Sequence, residues 1–231
     1  MELILASMFR NAATYLDRYF AQAEAFRAIF PTLRLLLVEG DSTDGTRAEL
    51  MARIDAWPAS AEIVFRDHGG EAFGSVDHPA RWRQISYACN GVWDNIPLEA
   101  AAVIYVEGDL YWTPDVMCTL LADAARFSTY PGASISPMCF HRGTSIFYDI
   151  WGYRRNGHMF SQFPPYIPEY EPPADLIRID SCGSCWVMPG GLARLVRYDE
   201  TALDGPLSFA RSIWAAGGSM WLNPTVRVEH P

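Results

Sequence analysis

The feature that most constrains this chain is the steady alternation of short apolar runs with amphipathic segments from Leu3 to Met138. Leu3–Ala6, Leu33–Val38, Ala61–Phe65, Ala101–Val106 and Ala133–Met138 are bounded by polar or turn residues and have the length of buried strands. Between the first two, Asn11–Phe30 repeats Ala12, Leu16, Tyr19, Phe20, Ala23 and Phe26 at helical spacing, and Pro31 ends the pattern. Thr46–Trp57, Pro79–Asn95 and Pro114–Phe127 are the next helices, the last two opened by a proline in the first turn. A strand–helix series of this kind predicts an α/β fold with a mainly parallel central sheet flanked by helices, joined by right-handed crossovers. A strand near Cys185–Met188, a helix over Leu207–Ala216 and a strand over Ser219–Leu222 complete it.

With 231 residues, the chain fits one large domain, 1–231. Residues 140–173 break the pattern with dense aromatics and five prolines and read as an insertion or cover, whose rings suit core packing, subunit contact or stacking on a ligand. Half the residues are hydrophobic and 19% are charged, which excludes general disorder. The 18 basic and 27 acidic residues leave a net charge of −9, which counts against gripping nucleic acid by backbone charge. No apolar run approaches the roughly 18 residues of a membrane span. Met1-Glu2-Leu3-Ile4 lacks the features of a signal peptide, and five scattered cysteines point to a reducing, cytoplasmic setting. Cys182 and Cys185 form a CxxC with no second ligand pair near it, so they read as structural thiols.

Three constellations carry candidate chemistry. Glu39-Gly40-Asp41-Ser42-Thr43-Asp44-Gly45-Thr46 follows a buried strand and opens a helix, where open α/β sheets bind ligands. Ser42, Thr43 and Asp44 fit a helix cap, whereas Glu39 and Asp41 could accept hydrogen bonds from a sugar or base. Glu107-Gly108-Asp109 again follows an apolar strand, and its carboxylates project the same way in extended chain, as in a solvated turn or a hard-cation site. Asp204 stands before a helix as either an N-cap or a general base. Arg83 is either a solvated helix residue or a phosphate partner. His230, next to the last residue, is either a frayed end or a ligand.

In order and spacing these motifs resemble the GT-A fold glycosyltransferases, nearest to the large inverting family 2 type, over nearly the whole chain. The family's Asp-rich turn stands here as Glu39 to Thr46, its DxD as Glu107-Gly108-Asp109, and its closing segment as Leu203-Asp204, Arg211, Gly217, Pro224 and His230. The resemblance implies a nucleotide-sugar-binding half, 1–115, and an acceptor-binding half, 116–231. It implies that Glu39, Asp41, Arg83, Glu107 and Asp109 bind the donor, a UDP-sugar first among nucleotide-sugars. Asp109 and His230 would ligate Mn²⁺ or Mg²⁺, and Asp204 would be the catalytic base. Glu107, Glu39-Gly40 and Leu203 depart from the family's residues, and the QxxRW motif of processive synthases is absent, which favours single addition. The acceptor is left open among a small molecule, a glycan, a lipid-linked sugar, a protein or a hydroxymethylated DNA base; for the last, Arg142, Arg154, Arg155 and His158 would supply basic charge. A nucleotidyltransferase of similar fold is the alternative, but Ala6–Asn11 lacks the glycines a triphosphate loop would want. A binding module that kept the fold is a third reading, against which Asp109, Asp204 and His230 speak.

Overall fold

The computed structural model describes residues 2–73, 78–127, 129, 131–169 and 175–231. The first half runs β1 (Glu2–Phe9), α1 (Ala13–Arg27), β2 (Arg34–Glu39), α2 (Thr46–Asp55), β3 (Ala61–Phe65), α3 (Pro79–Trp93), β4 (Ala100–Val106), α4 (Pro114–Ala125) and β5 (Ala133–His141). A hairpin follows, β6 (Arg154–Arg155) and β7 (His158–Met159), then β8 (Ile177–Arg178), β9 (Cys185–Pro189), α5 (Gly190–Ala193), α6 (Pro206–Ala215) and β10 (Ser219–His230).

Among the described residues, eight strands form one sheet in the order β3-β2-β1-β4-β9-β5-β10-β8. β9 runs antiparallel to β4 and β5, and β8 antiparallel to β10, while the other pairs are parallel. The strands are apolar on both faces because helices cover both. Ile4, Ala6, Leu36 and Val38 face a core with Cys89, Val92 and Trp93 of α3 and Phe209 and Ile213 of α6. Their neighbours Leu5, Leu35 and Leu37 point the other way, onto Leu16, Tyr19 and Phe20 of α1. The expected α/β architecture is therefore present, with a mostly parallel sheet between helical layers.

The last strand differs from expectation. The sequence suggests a strand over Ser219–Leu222. Instead β10 keeps its pairing with β5 through an irregularity between Asn223 and Arg227 and runs on to His230, opposite His141. The aromatic stretch divides: Trp151 and Phe163 are exposed, while four of its rings are interior. Phe147, Tyr153 and Phe160 are buried and pack on one another and on Phe140, largely edge to face or tilted. Tyr170, Pro172 and Pro173 of that stretch lie outside the described residues.

Candidate active site

Because β1, β2, β3 and β4 run parallel, their carboxyl ends share one edge of the sheet. A cleft of about 590 Å³ opens there, lined by Arg10, His68, Arg81, Glu107, Asp109 and His230 among others. Two glycines make the close approaches. A Cβ on Gly40 would lie 2.3 Å from the Arg66 carbonyl oxygen, so only glycine lets the exits of β2 and β3 pass. A Cβ on Gly108 would lie 2.2 Å from the Phe9 ring, so this turn lies flat on that ring at the end of β1.

The turn after β2 is mainly structural. Ser42 Oγ accepts from the Asn11 amide, Asp44 from the Ala13 amide, and Thr46 Oγ1 from the Ala12 amide. These polar groups thus tie down the entrance of α1, and Asp44 also accepts from the Thr46 amide at the start of α2, whose N-cap residue Gly45 has no side chain of its own to cap with. Glu39 is buried, one oxygen on the Ser42 amide and the other ion-paired with Arg47, which also reaches Asp67. Both acceptors are therefore engaged inside the protein, and Glu39 is not among the residues lining the cleft. Asp41 borders the cleft through His68. The His68 amide donates to its carboxylate at 2.6 Å and holds it below the usual carboxylate range.

Arg83 is exposed and does not line the cleft, whereas Arg81, Gln84, Ile85 and Ala88 of the same helix do. Their spacing marks one helical face, and Arg83, two residues beyond Arg81, lies about 200° round the helix from it. The cation that α3 presents is Arg81.

The turn after β4 carries the densest charge. The Glu107 carboxyl is pushed up to about 8 by burial, with the Asp109 and Asp149 carboxylates adding to the effect. Asp109 Oδ2 lies 3.1 Å from His230 Nε2, and Asp109 Oδ1 is buried with no partner. His230 stacks on Tyr148, ring centroids 3.7 Å apart. Its place is fixed from both sides: Tyr111 and Glu229 exchange backbone hydrogen bonds, and the Arg142 amide donates to the His230 carbonyl at 2.8 Å. The backbone pairing of the strand thus fixes where His230 sits.

Among the described residues, no three His, Cys, Asp or Glu side chains converge to hold a metal ion. The unpartnered Asp109 oxygen beside His230 nevertheless fits a hard cation that takes its remaining ligands from diphosphate oxygens and water. His230→Ala keeps the backbone bonds of the strand. It is expected to weaken Mn²⁺ binding in the presence of UDP by at least about 10-fold, the size seen even for groups behind a metal ligand. Calorimetric titration of the two proteins measures this, and equal affinities would remove His230 from the site.

Asp149 was not singled out by sequence. Ser184 Oγ donates to its carboxylate at 2.9 Å and the Gly152 amide at 3.0 Å, and burial raises its pKa. A Cβ on Gly183 would lie 1.9 Å from this carboxylate. The middle of Cys182-Gly183-Ser184-Cys185 is thus a carboxylate cradle, and both cysteines are free and buried. The Gly-Ser pair was the available signal.

Asp204 does not cap α6; the N-cap is Gly205, and the Asp204 carboxylate pairs with Arg211 at 2.7 and 2.9 Å. Asp204 is not among the residues lining the cleft. Its neighbour Gly205 lies against the ring of Trp82, next to Arg81 in α3. The basic residues proposed for a DNA acceptor are dispersed in use. The guanidinium of Arg142 covers the Tyr111 ring, and that of Arg155 donates to the Pro168 carbonyl.

No protein-family model matches the sequence, and no curated protein matches it. Solved structures do match in shape. GalNAc-T7, determined with UDP, GalNAc and Mn²⁺, superposes with a TM-score of 0.63 at 13% identity, covering 100% of this chain and 44% of that one. S. aureus TarS 1-349 in complex with UDP-GlcNAc gives 0.62 at 10% identity, covering 99% and 58%. The mannosyltransferase PcManGT from Pyrobaculum calidifontis, in complex with GDP-Man and Mn²⁺, gives 0.59 at 14%, covering 99% and 56%. The chain spans about half the length of these proteins. No helix among the described residues is long and apolar enough to cross a membrane. The strand order, the cleft at the carboxyl ends and these superpositions agree: the chain has the GT-A fold of the nucleotide-sugar glycosyltransferases.

Proposed function

We propose that this chain is a metal-dependent glycosyltransferase that passes a sugar from a nucleotide-sugar, a UDP-sugar first among donors, to an acceptor hydroxyl, with inversion and by single addition. The observation that carries the reading is the juxtaposition of Asp109 and His230 at 3.1 Å in the cleft, with the other Asp109 oxygen free to take a ligand. Mn²⁺ or Mg²⁺ held there would supply Lewis-acid neutralisation of the departing diphosphate. Arg81 adds a fixed positive charge to the same wall for the phosphates. Glu107 stands behind Asp109, and Asp41 with His68 borders the end where base and ribose would lie. Asp204, the base the motif order assigns, lies outside the cleft lining with both oxygens on Arg211, so it would take the proton of the acceptor hydroxyl only after leaving that ion pair and turning toward the cleft. Small molecules, glycans, lipid-linked sugars, proteins and hydroxymethylated DNA bases all offer such a hydroxyl.

The test is a thermal-shift screen of UDP-, GDP- and dTDP-sugars with Mn²⁺ and with EDTA, followed by assay of nucleoside diphosphate release. Stabilisation by at least one donor, dependent on the cation, is expected. No stabilisation by any donor and no diphosphate release would overturn the reading.

A further inference from the structure

A line of side chains outside the cleft joins the two candidate cation ligands through their backbones. Arg18 of α1 donates from Nη2 to the carbonyl oxygen of Asp109 at 2.5 Å. Its guanidinium carbon lies 3.7 Å from the centre of the Tyr111 ring, and that of Arg142 lies 3.8 Å from the same centre. Two guanidinium groups at that height cannot share one face, so the ring is held between them. Tyr111 exchanges backbone hydrogen bonds of 2.7 and 2.9 Å with Glu229, the residue before His230, and the Arg142 amide donates to the His230 carbonyl. Gln22, one turn after Arg18, adds a bond of 3.2 Å to the Leu110 carbonyl.

Resting on the glycosyltransferase reading, we propose that Arg18 is a positioning residue for the cation site. It sets the spacing of Asp109 and His230 by gripping the Asp109 backbone while clamping Tyr111 against Arg142. The residue type matters. A planar guanidinium can lie flat on a ring and still direct an N–H at a carbonyl, which a lysine ammonium cannot do together. Helix packing does not require Arg18: Leu16, Tyr19, Phe20, Ala23 and Phe26 already bury the inner face of α1. The Arg18 Nε–H is moreover buried without a partner, which fits a group placed for geometry over its own hydrogen bonding.

The test titrates Mn²⁺ in the presence of UDP, following loss of the free-ion electron paramagnetic resonance signal. It compares the parent, Arg18→Ala, Arg18→Lys and a control on the same helix, Arg27→Ala, alongside the melting temperature of each metal-free protein. Arg18→Ala is expected to weaken Mn²⁺ binding by about 10- to 100-fold, as for other residues behind a metal ligand, with Arg18→Lys restoring only part of it. Arg27→Ala should bind as the parent does, and the metal-free melting temperatures should stay close together. Parent-like Mn²⁺ affinity in both Arg18 variants would overturn the proposal. So would a loss of affinity that follows a loss of melting temperature in both. A parent protein that binds no Mn²⁺ with UDP would instead defeat the glycosyltransferase reading itself, a separate outcome.

Discussion

Asp109→Asn is expected to abolish cation-dependent turnover while leaving the protein folded. The substitution keeps the shape of the side chain and removes the charge beside His230. Loss of Lewis-acid stabilisation worth several kcal/mol corresponds to roughly two to three orders of magnitude in rate. The carboxylate rests against a histidine and not in the apolar core, so the melting temperature of the metal-free variant should change little. Nucleoside diphosphate release, measured with Mn²⁺ and with EDTA, checks the claim. A variant that turns over at the parent rate in EDTA would take the cation out of the mechanism.

Asp204→Asn is expected to lower turnover by roughly two to four orders of magnitude without loss of donor binding. The structure sharpens the contrast between base and structural group. The Asp204 side chain makes no helix cap, and its ion pair with Arg211 is well exposed on both sides. Breaking such a pair costs at most about 1 kcal/mol of stability. A purely structural Asp204 would therefore tolerate Asn with little effect on either folding or rate. Stopped-assay turnover beside a donor-binding titration distinguishes the two, and parent-like turnover would leave the inverting step without a base in this chain.

The strands were legible because a parallel strand covered on both faces is a continuous apolar run between polar ends, as in Leu35–Val38 and Val103–Val106. The reach of β10 was not, because Pro224 lacks an amide donor and suggests an end, whereas the irregular stretch after Asn223 passes it and resumes pairing at Arg227. The positions of Asp109 and His230 were legible as types in order, but their contact depends on that resumed pairing. Glu39 suggested a ligand-facing carboxylate because it ends an apolar strand. Its partner Arg47 comes from the next helix, and such a contact depends on how that helix lies on the sheet. The sequence points to Arg83 and not to the cleft-lining Arg81, because the residues of α3 do not by themselves say which helical face meets the cleft. Asp149 sits in an aromatic stretch without periodicity, where nothing marks one carboxylate as interior.

The antiparallel seat of β9 between β4 and β5 bears on the order in which the molecule can assemble. When residues up to Val106 have left the ribosome, β1 to β4 can pair among themselves, but the outer edge of β4 has no neighbour until Cys185–Pro189 arrives. That edge is an apolar template for wrong partners during synthesis, and closing so long a loop is slow. His230 arrives later still, on the last strand to pair with β5. A nascent chain therefore presents the exits of β1 to β4 well before Asp109 and His230 can meet, and the cleft gains its His230 side only once β10 has paired with β5.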